Sequence, residues 1–235
     1  MLKTLARAVL SPTARVVFRP KVIGRRNVPK HGAVILASNH LSFVDSIVIT
    51  LVAPRSVSFL AKSDYFTGTG AKGHLSRWFF RGVGAIPVQR GAGQAAKDAL
   101  DAGLEVLDAR DAFAIYPEGT RSLDGRLYKG RTGVAYLALT SGAPIVPVAL
   151  TGTEKLQPVG SSRIHRAKVT VEFGEPITMD AYGDAASGRV RREVTDEVMR
   201  RIQLMSGQVV APTYNEPPAA TIGERVKRVF WRERI

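Results

Sequence analysis

Cysteine is absent from all 235 residues, which excludes disulfides, thiolate metal sites and a cysteine nucleophile and is compatible with a reducing compartment. Acid is missing from the amino end: no Asp or Glu precedes Asp45, although Lys3, Arg7, Arg15, Arg19, Lys21, Arg25, Arg26 and Lys30 do. Long apolar runs are missing too. Arg7, Pro12 and Arg15 break the first ones, and nothing reaches the roughly 18 apolar residues of a spanning helix, so neither a transmembrane segment nor a cleaved signal is expected. His31, His74 and His165 lack ligand partners at useful spacing, so no metal is expected.

What is present is basic. The net charge of +14 points to an anionic partner: nucleic acid, a phospholipid surface or a phosphorylated substrate. Nucleic-acid binding would want a helix-turn-helix or a sheet with stacking aromatics; neither is recognisable, and no nucleic-acid partner is expected. At 45% hydrophobic the chain can build one real core.

The two ends share a pattern. In residues 1–26, Leu2, Leu5, Val9 and Leu10, then Val16, Val17 and Phe18, interleave with bases in two pieces divided by Ser11 and Pro12. That suits a short hairpin lying in an anionic membrane interface, or an amphipathic arm packed on the domain. Residues 207–220 read as a linker. In residues 221–235, Ile222, Val226, Val229 and Phe230 fall at helical intervals among Arg225, Lys227, Arg228 and Arg232, and Thr221 with Glu224 fits a capping box. A basic amphipathic helix of this kind is a membrane-surface anchor or a docked terminal helix.

Residues 27–206 make the domain between them. Short β-rich runs at 33–37, 57–60, 85–88, 113–116, 145–150 and 169–173 alternate with helical stretches. Ala96, Leu100, Leu104 and Leu107 line one helix face, residues 133–142 form a helix ended by Gly142, and Val190, Val194, Val198 and Ile202 make another stripe. The pattern predicts an α/β single domain with a central mixed sheet flanked by helices.

The stretch "SNHLS" is the turn after the first buried run, at a strand's carboxyl end, where α/β sheets gather ligands. With Ser42 as N-cap, Asp45 falls in the first helical turn and leans back toward His40. The carboxylate would set the imidazole's tautomer and raise its basicity, making a general base. A satisfied loop histidine beside an acid that merely favours the helix dipole is the plainer alternative. A second strand end carries "YPEGTRSLDGRLYKGRTG", where Glu118, Arg121, Arg126, Lys129 and Arg131, with Gly119, Gly125 and Gly130, would cradle a phosphate and its neighbouring hydroxyls, unless this is an ordinary basic loop. "GAIPVQRG" brings Arg90 to the same sheet edge, and "GAPIVPVAL" is a buried strand made awkward by Pro144 and Pro147. "GTGAKG", Gly68 to Gly73, matches a nucleotide-binding pattern without the strand it needs and is read as a flexible loop. "RWFF", Arg77 to Phe80, is read as aromatic core, with a bilayer or acyl-groove contact as the alternative.

His40-x4-Asp45, "GAIPVQR", "YPEGTRS" and "PIVPVAL", in this order between Val34 and Leu150, resemble the four sequence blocks of the glycerolipid acyltransferase family, specifically the bacterial 1-acylglycerol-3-phosphate acyltransferases. The runs "FLAKSDYFTGTGAKG" and "DGRLYKG" resemble actinobacterial members. The resemblance implies that His40 deprotonates the acceptor hydroxyl, with Asp45 orienting it. It implies an acyl-CoA or acyl carrier protein donor, lysophosphatidic acid or glycerol 3-phosphate as acceptor, and no further cofactor. Arg90, Glu118, Gly119, Thr120 and Arg121 would hold the glycerol phosphate; Lys129 is added on charge and position. Pro147 would serve donor binding or packing, and Asn39 would fix the turn or bind the oxyanion. Two departures stand out: Gln89 replaces the usual aspartate before Arg90, which bears on head-group preference, and Tyr116 replaces the commoner phenylalanine. Together with the basic ends this places the chain on the cytoplasmic face of the cell membrane, bound to anionic lipids. A lipid-binding domain without catalysis is the reading of another class.

Overall fold

The computed structural model describes residues 20–89, 93–161 and 163–216. Its seven-stranded sheet comprises β1 (Lys21–Ile23), β2 (Val34–Ser38), β3 (Val57–Lys62), β4 (Ala85–Val88), β5 (Ala112–Ile115), β7 (Ile145–Thr151) and β8 (Thr170–Phe173) in the order β1-β8-β7-β2-β5-β3-β4. β7, β2, β5, β3 and β4 are mutually parallel; β8 runs antiparallel to β7, so the sheet is mixed, as expected.

Both faces are covered, and the strand sequences show why. Val34 and Leu36 of β2 face one core while Ile35 and Ala37 face the other, and Ala112, Phe113 and Ala114 of β5 alternate in the same way. Such strands are apolar throughout because a parallel sheet has no solvent face. The first core is closed by α1 (Asp45–Val52), α2 (Asp64–Thr67) and α3 (Gly70–Gly82). The second is closed by α4 (Gln94–Asp108), α5 (Gly133–Ser141) and α7 (Gly188–Ser206), through Leu100, Leu104 and Leu107, and Val194, Val198 and Ile202. Gly142 ends α5 at φ 69°, the left-handed conformation that made it a predicted terminator. A four-residue helix, α6 (Thr153–Leu156), follows β7.

Neighbouring β2 and β5 send their connections to opposite faces, α1 to the first core and α5 to the second. A crevice opens outside the carboxyl ends of two such strands. His40 follows β2 and the 116–131 loop follows β5, so both predicted motifs meet there.

Several expectations are corrected. Ser42 does not cap α1; its hydroxyl donates to the Gln157 carbonyl at 3.0 Å. Gly70 to Gly73 form the first turn of α3 rather than a loop. Residues 207–216 are not a free linker, because β9 (Val210–Ala211) pairs with β6 (Leu127–Tyr128) as a second, two-stranded sheet. Part of the expected membrane segment 1–26 belongs to the fold, since β1 pairs with β8 and Val22 packs on the first core. Of the "RWFF" run Phe80 is buried and Phe79 packs beside it, but Trp78 faces outward. Residues 1–19 and the helix expected at 221–235 lie outside the described residues.

Candidate active site

Asn39 anchors the turn after β2. Fully buried, it extends the strand pairing by one side chain: its Oδ1 accepts the Leu150 N–H at 2.8 Å, while Nδ2 donates to the Leu150 carbonyl at 2.9 Å and to Gln208 Oε1 at 2.7 Å. Both amide protons are spent, so Asn39 fixes the turn and cannot hold an oxyanion.

His40 is gripped through its backbone and its ring. Its N–H donates to Glu118 Oε1 at 3.1 Å, and its carbonyl accepts the Ser122 N–H at 2.8 Å. The ring lies on Tyr116, with centroids 3.9 Å apart and planes 11° from parallel, and the Tyr116 hydroxyl meets Ser46 of α1 at 2.7 Å. Nδ1 stands 2.9 Å from Asp45 Oδ2. That oxygen also accepts the Leu41 and Ser42 N–H groups, at 2.6 and 2.8 Å. A carboxylate oxygen facing Nδ1 makes Nδ1 the donor, so Nε2 keeps its lone pair; Nε2 has no hydrogen bond among the described residues. The ring is 13% exposed and Asp45 is fully buried. The arrangement is an oriented base with water-limited access, suited to removing a proton from a hydroxyl.

Glu118 is fully buried, with Oε1 on the His40 N–H and Oε2 on the Tyr128 N–H at 2.9 Å. Burial pushes its carboxyl up to about 7, against the lowering effect of those two donors. A carboxyl raised in the native state contributes stability that is full below its ordinary value of 4.5 and lost as pH rises through about 7. The window corresponds to roughly 3 kcal/mol. Urea denaturation from pH 5 to 8 should therefore show the wild type losing stability relative to Glu118→Gln as pH rises. A pH-independent difference would exclude this ionisation.

The Acyltransferase family model matches residues 19–151. The chain belongs to the acyltransferase family. Among its relatives is a chloroplastic 1-acyl-sn-glycerol-3-phosphate acyltransferase of Brassica napus, 31% identical over 171 residues, covering 72% of this chain and 47% of the relative. A chloroplastic protein of the same description from Arabidopsis thaliana is 31% identical over 162 residues, covering 68% of this chain and 44% of its own. This acyltransferase chain thus spans about half the length of the curated relatives it matches. The crystal structure of the 1-acyl-sn-glycerophosphate acyltransferase PlsC from Thermotoga maritima superposes with a TM-score of 0.67 at 25% identity, over 86% of this chain and 79% of that one.

Within the acyltransferase fold the other predicted residues separate by what they touch. Glu118, expected to bind substrate, is fully buried, with its two carboxyl oxygens on the backbone N–H groups of His40 and Tyr128. Gly119 turns at φ 78° under Arg131, whose side chain lies 3.0 Å from where a Cβ would stand. The Thr120 carbonyl accepts from Asn215 Nδ2 at 3.3 Å. Arg121 is half-buried and has no hydrogen bond or ion pair among the described residues. Arg126 is committed to Asp124, 2.7 Å away. Lys129 and Arg131 each stand 5.3 Å from the centre of the Tyr214 ring, so the segment after α7 gathers two cations over the loop. Arg90 lies outside the described residues.

Pro147 is buried inside β7, paired with Ala37, and its carbonyl accepts the Gly174 N–H at 2.8 Å. Val148 pairs with Phe173 but Ile145 bridges Ile177, which leaves one extra residue on the β8 side. Pro147 sits at that bulge, where a missing N–H costs no regular ladder bond. Packing, one of its two expected roles, accounts for it.

Sequence reasoning missed Ser46, Tyr214 and Asn215, and met Tyr116 only as a departure. Polar residues scattered among apolar ones carry no local signal. The tyrosine hydroxyl, whose partner is on α1, was the one available hint.

Proposed function

We propose that this chain is a 1-acylglycerol-3-phosphate acyltransferase, moving a fatty acyl group from acyl-CoA or acyl carrier protein to lysophosphatidic acid and yielding phosphatidic acid. The observation that carries the reading is the buried Asp45 carboxylate holding Nδ1 of His40 at 2.9 Å, on the strand end where the basic loop converges. His40 Nε2 takes the proton of the acceptor's free hydroxyl as its oxygen attacks the thioester carbonyl. The C–O bond forms, the tetrahedral intermediate expels the thiolate as the C–S bond breaks, and the imidazolium returns the proton to sulfur. No cofactor enters beyond the donor. Relatives described as 1-acyl-sn-glycerol-3-phosphate acyltransferases support the choice of acceptor. Gln89, in place of an acid beside Arg90, keeps glycerol 3-phosphate or another lysophospholipid as the second acceptor to compare.

Arg121 and Lys129, with Arg90, supply the charge for the acceptor phosphate. Among the described residues no helix is long and apolar enough to cross a membrane. The basic terminal segments instead hold the protein peripherally on anionic lipid at the cytoplasmic face, where the acceptor resides.

The test follows thiol release from acyl-CoA with each acceptor; the protein has no cysteine to add background. Acceptor-dependent release supports the reading, and no release by folded protein with lipid present sinks it. In the same assay Arg121→Ala should raise KM for the phosphorylated acceptor about tenfold with kcat little changed, the loss expected for one charge-assisted contact made equally in ground and transition states. An unchanged KM would remove Arg121 from the phosphate site.

A further inference from the structure

The outward-facing apolar residues are not used by the chemistry at His40. Leu75 and Trp78, one helical turn apart on α3, are 65% and 46% exposed; Val159 and Ile164, in the loop after α6, are 46% and 49% exposed. Each pair lies in a stretch without acid. No Asp or Glu occurs from Tyr65 to Lys97, where Arg77 and Arg81 flank Trp78, or from Lys155 to Val171, where Arg163 and Arg166 flank Ile164 and His165.

Both stretches belong to the same side of the sheet as the histidine. Phe66 and Phe80 from α2 and α3, Leu156 and Val169 at the two ends of the loop, and Tyr116 beneath His40 all pack in the first core. The loop joins the carboxyl end of β7 to the start of β8, so it lies on the sheet edge from which His40 projects. Large apolar side chains held outward among unopposed bases match a bilayer interface: the side chains enter the acyl boundary while the cations meet anionic headgroups. A protein partner would call for a continuous apolar patch with a polar rim rather than bases between the apolar residues.

We propose that this face of the folded domain docks on an anionic bilayer, with Trp78 and Ile164 inserted at the headgroup boundary, and so turns the sheet edge that carries His40 toward the lipid. The contact is distinct from the terminal segments. What it would serve, delivery of a lipid-borne acceptor, rests on the acyl-transfer reading; the docking itself does not.

The full chain has two tryptophans, Trp78 and Trp231. In a Trp231→Phe background, Trp78 alone reports. Phosphatidylglycerol–phosphatidylcholine vesicles should shift its emission to the blue, and lipids brominated on their acyl chains should quench it. Pure phosphatidylcholine should do neither, and salt should weaken the effect. Ile164→Glu in the same background should lower vesicle partitioning about tenfold, because a carboxylate replaces an apolar group at a negative surface. Vesicle-bound protein whose Trp78 is neither shifted nor quenched overturns the proposal, as does an absence of vesicle binding. A Trp78 response to an acidic acyl carrier protein but not to vesicles would also overturn it. Thiol release measured on the same sample separates the two readings: quenched Trp78 without turnover retains the docking face and removes the acyltransferase assignment.

Discussion

His40→Ala is expected to lower acyl transfer by roughly 100- to 10,000-fold, the range for losing a positioned general base. The loss should fall on kcat, with KM for both substrates little changed, because Nε2 meets the acceptor hydroxyl productively only as its proton departs. Folding should be nearly unaffected: the His40 N–H and carbonyl contacts to Glu118 and Ser122 are made by the backbone and survive the substitution. The variant gives up a stacked ring on Tyr116 and one contact to Asp45. Thiol release read beside a urea denaturation curve checks both halves. Retained turnover in the alanine variant would falsify the base assignment, and unchanged lipid binding with no turnover in either protein would favour the non-catalytic lipid-binding reading.

The second large effect is expected at Asp45, where two substitutions separate charge from structure. Oδ2 holds three donors, and Oδ1 is buried without a hydrogen bond among the described residues. Asparagine can keep its oxygen in the Oδ2 position and place its amide where Oδ1 was. The turn then survives, but the negative charge that stabilises the imidazolium is gone. Asp45→Asn should therefore lose about 100-fold or more in kcat while its denaturation midpoint falls less than that of Asp45→Ala, since it keeps the Leu41 and Ser42 bonds and leaves only its own amide unpaired. Alanine has no such escape. It strands the buried Leu41 and Ser42 N–H groups at about 1–3 kcal/mol each, so Asp45→Ala should be both inactive and measurably less stable. If the two variants lose stability equally, the carboxylate is a structural cap and the catalytic pairing is wrong.

The three substitutions around His40 divide the site by mechanism. Removing the base abolishes proton transfer. Changing the charge behind it leaves a correctly placed but weaker base. Neutralising Glu118 alters how firmly the turn is held and how that depends on pH. The first two are read in kcat, and only the third in the pH dependence of stability.

The parts of this site that lie close in sequence were legible there. His40 and Asp45 are five residues apart, on either side of the turn that leads from β2 into α1, so the local chain brings them together. The α/β architecture was equally legible, because strands buried on both faces must be apolar throughout and the covering helices must carry a stripe such as Leu100, Leu104 and Leu107. The charge of the 118–131 loop was also readable, but not its division of labour. Arg126 is taken up by Asp124, whereas Lys129 and Arg131 are gathered under Tyr214 by a segment that composition marked as a linker.

The sequence by itself determined the His40–Asp45 contact, the sheet that presents it and the cationic loop opposite, since each follows from local spacing or a periodic burial pattern. Only the tertiary structure decided what holds the pair in place. Asn39 finds Leu150, His40 finds Glu118 and Ser46 finds Tyr116 across separations of 111, 78 and 70 residues. Such contacts leave no period in a sequence. A buried polar group satisfied by a distant partner looks, residue by residue, like any other polar group, and its role appears only when the sheet has brought β2, β5 and β7 side by side.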